Sequence, residues 1–203
     1  MTQLSCPTCK AALSKDSKFC SNCGTKIDPS KIEQSSFKDS KYAERKQLTV
    51  LFSDLADSTQ LSGVLDPEDM RDILREYQTV CSSVIKSHDG YVAKYLGDGI
   101  LAYFGYPESH EGDAKRSVSA GLAMLEAMKA YSKEFLKKYG VRTDVRVGIH
   151  TGLVVVGDMG GAEYLESDAI VGQAPNLAAR IQSLAELNTV YISSSTYKLL
   201  GVD

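Results

Sequence analysis

Two strand-like runs, Tyr91–Leu96 and Ile100–Phe104, are separated only by Gly97-Asp98-Gly99, and a long amphipathic segment stands on each side of them. An Asp between two glycines suits the tight, positive-φ turn of a hairpin. The hairpin therefore has to form in place, with one helix before it and one after. The earlier helix opens at Asp66-Pro67-Glu68-Asp69, where an N-cap Asp is followed by Pro in the first turn and by acids that suit the dipole. Met70, Ile73, Leu74, Tyr77, Cys81, Val84, Ile85 and His88 then recur at i, i+3, i+4 spacing until Asp89-Gly90 stops them. The later helix spans about Asp113 to Tyr139 and turns Val118, Leu122, Leu125, Met128 and Phe135 inward.

A buried-strand run, Leu48-Thr49-Val50-Leu51-Phe52, precedes the first helix and ends in Ser53-Asp54. Beyond the second helix come Val145–His150 and Leu153–Val156, read as a strand pair, then a helix from about Asn176 to Leu187 and a strand at Val190–Ser193. The resulting order is β-α-β-β-α-β. The predicted fold is α+β, a ferredoxin-like arrangement with an antiparallel-rich sheet and helices on one face. His88 and His150 read as packed ends of elements, and Cys81 as a core residue.

The first 27 residues are of a different kind. Cys6-Pro7-Thr8-Cys9 and Cys20-Ser21-Asn22-Cys23 form two C-x2-C knuckles with ten residues between them. Two facing knuckles supply four thiolates in a closed tetrahedron, the shell of one structural Zn2+. So short a segment buries too little core to fold without a metal. Disulfides are the alternative, and a reducing compartment disfavours them. The arrangement resembles the small zinc ribbons at the ends of bacterial multidomain proteins. Residues 28–46 are polar and aperiodic and read as a flexible linker, which leaves 47–203 as the main domain.

Charge narrows the partners. Residues 1–46 hold nine Lys/Arg and five Asp/Glu, whereas the remaining 157 hold 14 and 21, within an overall net charge of −3. So acidic a body is a poor counter-ion for nucleic acid. The basic head is the segment that would meet a protein partner, or it is simply solvated. No apolar run approaches the roughly 18–20 residues of a membrane span, and no signal-like segment precedes Cys6. The expectation is a cytoplasmic protein with neither nucleic acid nor membrane as partner.

Asp54 ends the first strand and Asp98 lies in the hairpin turn, and the topology makes those two elements neighbours. Two convergent carboxylates can hold a divalent cation, although Asp98 alone is also an ordinary turn residue. Ala56-Asp57-Ser58-Thr59 opens a short helix whose free N–H groups, with Ser58 and Thr59, could cradle a phosphate.

Three segments then carry a resemblance. Leu51-Phe52-Ser53-Asp54-Leu55-Ala56-Asp57-Ser58-Thr59, Lys94-Tyr95-Leu96-Gly97-Asp98-Gly99 and Asn176-Leu177-Ala178-Ala179-Arg180 together resemble the catalytic domain of class III nucleotidyl cyclases, over residues 46 to 200. They are most similar to soluble bacterial adenylate cyclases. Their order and spacing agree with the family, including 44 positions from Asp54 to Asp98. The resemblance implies conversion of ATP to 3′,5′-cyclic AMP and pyrophosphate, with two Mg2+ or Mn2+ ions per site. It implies Asp54, Asp98 and the Leu55 carbonyl as metal ligands, Arg180 as the stabiliser of charge at the α-phosphate, and Asn176 as the residue that orients the ribose. Lys94 falls where adenylate cyclases recognise the adenine edge. The usual partner, seven residues before the Asn, is Ala169, which cannot hydrogen-bond the base.

In the family the Asp pair and the Asn/Arg pair come from opposite subunits, so the resemblance also implies a homodimer. The family's domain normally continues with another strand pair beyond this point, so the C-terminal strands are expected to be missing. A guanylate cyclase, and a non-catalytic nucleotide-binding or regulatory domain of the same fold, are the competing expectations. Without the resemblance, Arg180 reads as a solvated helix residue.

Overall fold

The computed structural model describes residues 4–5, 12–13, 19, 24–26, 44–161 and 164–201, with the backbone alone at 4–5, 12–13, 158–161 and 164–169. The chain divides into two compact units, Arg45–Val156 with Ile170–Asp203, and Met1–Glu44 with Gly157–Ala169. In the smaller unit β1 (Leu4–Ser5) pairs antiparallel with β2 (Ala12–Leu13), and Phe19 bridges Lys26. The cysteines Cys6, Cys9, Cys20 and Cys23, and the linker up to position 43, lie outside the described residues.

The elements that follow are β3 (Glu44–Leu55), α1 (Ser58–Val64), α2 (Pro67–Ser87), β4 (Tyr91–Leu96), β5 (Gly99–Phe104), α3 (Asp113–Tyr139), β6 (Val145–Gly161), β7 (Tyr164–Val171), α4 (Gln173–Leu184), β8 (Thr189–Ile192) and α5 (Ser194–Lys198). The sheet order is β4-β5-β3-β6-β7, with β8 parallel to β6. The first four of these strands in chain order thus lie in the ferredoxin-like order, and both β3 and β4 run antiparallel to β5.

Alternation along β3 separates two cores. Leu51 and Leu55 join Ile73, Tyr77, Ile85, Met124 and Phe135 beneath α2 and α3. Leu48 and Val50 face the other way, onto a second cluster with Val154, Val156, Ala174 and Ala178. The expectation of helices on one face is therefore corrected: α4 covers the opposite face. Its approach is possible because Gly148 has no side chain; a Cβ there would lie 2.2 Å from the Gln182 amide nitrogen and 2.5 Å from the Ala178 carbonyl.

Four further differences are local. β3 begins at Glu44, so positions 44–46, read as linker, belong to the strand. The expected break in β6 at Thr151-Gly152 is absent. Gly152 is there for space, since a Cβ would come 2.9 Å from the His150 ring, and the strand runs straight through. β7 went unread, and Leu122, expected inward on α3, is 54% exposed. The Asp66 side chain caps α2 by accepting from the Glu68 amide at 2.9 Å, as its position predicts. Cys81 is buried, and burial pushes its thiol far up, so it is an inert core residue. Among the described residues no helix is long and apolar enough to cross a membrane.

Candidate active site

The β3–β5 register sets Asp54 opposite Gly99, so Asp98 is its neighbour at the same sheet edge. The Leu55 amide donates to the Asp98 carbonyl at 3.2 Å, and the Ala56 amide to the Asp144 carbonyl at 2.8 Å. These bonds pin the chain as it leaves β3. Gln78 Nε2 donates to the Gly97 carbonyl at 3.0 Å and braces the hairpin turn from α2. Beneath the edge, the buried Tyr77 hydroxyl lies 2.9 Å from Ser53 Oγ. Burial, then the neighbouring Cys81, push the Tyr77 hydroxyl well up, and Asp54 and Asp98 add to that push; it stays protonated.

Each carboxylate has a protein donor. Ser58 Oγ donates to Asp98 Oδ2. Asp54 accepts from Arg146, with Nε 3.3 Å from Oδ1 and Nη2 3.1 Å from Oδ2. Ser58, expected beside a phosphate, thus directs its proton to Asp98, while Thr59 stands exposed next to it. The cradle expected at residues 56–59 amounts to α1, only seven residues long, with Asp57 left-handed at its start (φ 58°). The amides of Gln60 and Leu61 there are already bonded to the Asp57 carbonyl.

Arg146 was missed in the sequence, although a signal existed. It alternates with Val145 and Val147 inside a strand, where a charge survives half-buried only if it is paired. It shares the Gly148 face of β6, and Asp54 shares the Val50 face of β3, so the pair stands on the side of the sheet that α4 covers.

On α4 the buried positions are Ala174, Ala178 and Gln182. Asn176 and Arg180 lie about half a turn away from that stripe, exposed and directed off the sheet. Lys94 is exposed on the edge strand β4, at a register shift between Val92 and Lys94. The side chain of Ala169 lies outside the described residues. The structure thus brings Asp54, Leu55, Ser58 and Asp98 together within one chain, while Asn176 and Arg180 form a separate, outward-facing pair. Three clefts of about 300, 490 and 360 Å3 lie along α2 and α3, and none is lined by any of these residues.

Two carboxylates and a main-chain carbonyl are hard oxygen donors. They suit Mg2+ or Mn2+, which would take its other ligands from water and phosphate oxygens. Among the described residues no group of three or more His, Cys, Asp or Glu would enclose a cation by itself.

An antiparallel ferredoxin-like core with one carboxylate at the end of its first strand and a second in the neighbouring hairpin turn is the architecture of nucleotide cyclases. Residues 41–203 match the adenylate and guanylate cyclase catalytic domain, and the chain belongs to that family. Residues 3–27 match a zinc-ribbon domain. Among relatives, adenylate cyclase 1 of Rhizobium meliloti is 31% identical over 142 residues, which is 70% of this chain and 21% of that protein. The chain therefore spans about a fifth of that relative. Among solved structures, the guanylyl cyclase Cya2 superposes with a TM-score of 0.74 at 34% identity, over 79% of this chain and 81% of that one. The adenylyl cyclase CyaB from P. aeruginosa has the same TM-score and identity, over 78% and 82%.

Proposed function

We propose that this chain is an adenylate cyclase that closes ATP to 3′,5′-cyclic AMP and pyrophosphate in a homodimer, with the catalytic domain from β3 onward at 44–203, a linker at 28–43 and a zinc ribbon at 1–27. The observation that carries the reading is the pairing of Asp54 with Asp98 at one sheet edge, together with an Asn176/Arg180 pair that faces away from the sheet bearing them. One chain supplies each half, and a two-fold partner would bring the halves together.

Asp54, Asp98 and the Leu55 carbonyl would hold two Mg2+ or Mn2+ ions, which when bound acidify the ribose 3′-hydroxyl and neutralise the triphosphate. Ser58 steadies the Asp98 carboxylate that takes part. Arg180, whose planar fork fits phosphate oxygens, would counter charge gathering at the α-phosphate. Asn176, one turn earlier on the same helix face, would orient the ribose. Lys94 supports adenine as the base. A guanylate cyclase is the second reading, favoured by the equal likeness to Cya2 and CyaB and by an Ala at position 169, which has no side-chain acceptor for the adenine amine.

Cys6, Cys9, Cys20 and Cys23 would ligate one structural Zn2+, and the reduced thiolates it needs support a cytoplasmic location. Elemental analysis should return one zinc per chain, lost in Cys20→Ser; no zinc in the wild type overturns the ribbon assignment. For the main reading, the purified chain is assayed with Mn2+ and either ATP or GTP, and the product is identified by mass. Cyclic AMP as the dominant product is expected. Cyclic GMP alone would favour the second reading, and no cyclic nucleotide from either would leave a non-catalytic domain.

A further inference from the structure

Arg146 makes a two-pronged contact on Asp54, one nitrogen to each carboxylate oxygen. The two side chains are only 28% and 19% exposed, so water screens the pair incompletely. Asp98, the other half of the pair, is held by a neutral hydroxyl. Among the described residues the two carboxylates therefore differ: Asp54 is matched by a full positive charge, and the ion pairs there include none on Asp98. A divalent cation on Asp54 would stand within a few ångströms of the guanidinium and compete for the same oxygens.

Resting on the reading of Asp54 and Asp98 as cation ligands, we propose that Arg146 is an internal competitor of the divalent cation at Asp54, a positioning residue that holds the carboxylate until a cation displaces at least one of its two bonds. The pair keeps Asp54 in a fixed orientation and at the same time lowers affinity for a cation arriving alone. The cation would be admitted first on the Asp98 side, where the described residues place a neutral hydroxyl rather than a guanidinium.

The test titrates Mn2+ into the full chain without nucleotide and reads free Mn2+ by electron paramagnetic resonance. Arg146→Gln, which removes the charge, should bind Mn2+ roughly tenfold more tightly than the wild type. Arg146→Lys keeps the charge and should stay within about threefold of it. Asp54→Ala and Asp98→Ala should each lose the site. In the wild type, the Arg146 Nε–H resonance, assigned by its absence in Arg146→Lys, should shift when Mg2+ is added.

If Asp54→Ala and Asp98→Ala bind Mn2+ as the wild type does, the cation-ligand reading itself fails, and the competitor with it. If those variants lose Mn2+ while Arg146→Gln binds no more tightly, the cation site stands and the competitor is overturned. Should Arg146→Gln not fold, the wild-type resonance decides: a shift with Mg2+ supports displacement, and an unchanged signal at saturation overturns it.

Discussion

At the scale of single residues, Gly148 has the least room for a side chain of the described glycines. Any Cβ there meets main-chain atoms of α4, which cannot rotate aside. Gly148→Ala should lower stability by about 2 kcal/mol through overpacking, measured by urea denaturation. Because α4 carries Asn176 and Arg180, the same change should reduce turnover by on the order of 100-fold, the usual result of displacing a catalytic group by about 1 Å. An alanine variant with unchanged stability would mean that α4 does not rest on this strand. His150 supplies a second residue-scale prediction. Its Nδ1 lies 3.0 Å from Ser193 Oγ, and burial holds its pKa below the ordinary 6.5. Below about pH 6.5 the unfolded chain takes up a proton that the folded chain refuses, so stability falls as pH drops through that value and levels off under the folded-state pKa. Above it both states are neutral and the effect vanishes. Urea midpoints between about pH 5 and 7 should show this slope in the wild type and a flatter one in His150→Gln.

At the scale of elements, legibility followed the strength of the local signal. α3 was read to the residue, because glycines at both ends bracket a long apolar period. α2 was read from its Asp66 cap, and Asp66→Ala should cost about 1 kcal/mol by urea melt. α4 was read three residues late at each end: it has no side-chain cap, and its buried stripe is two alanines and Gln182 rather than large apolar residues. Gly152 misled the reading of β6 because a glycine that makes room for a ring looks, in sequence, like one that makes a turn. The site followed the same rule. Asp54 and Asp98 were legible because each ends or turns a strand whose neighbours are fixed by topology. The charge of Arg146 between two valines was a signal, but its partner was not legible, since Asp54 is 92 positions away and only the folded sheet brings them together.

At the scale of the whole molecule, one sheet face carries Asp54 and Arg146, while the helix lying on that face turns Asn176 and Arg180 outward. On the reading proposed above, a single chain would present two incomplete half-sites, and a two-fold dimer would hold two complete ones. Asp54→Ala and Arg180→Ala chains should each be inactive alone, because every homodimer lacks one component at both interfaces. Mixed, they should recover activity. In the heterodimer one interface collects both defects, and the other combines intact carboxylates with an intact Arg180. Random exchange makes half the dimers mixed, each with one working site of two, so about a quarter of wild-type activity is the ceiling set by symmetry. The mixture is assayed over a range of protein concentrations, with subunit exchange followed by mass, so that weak dimerisation is distinguished from a failed idea. Dimers that form and exchange yet give no recovery would show that carboxylates and Arg180 do not meet across subunits. In that case α4 would serve its own sheet, and the outward face of Asn176 and Arg180 would need another explanation.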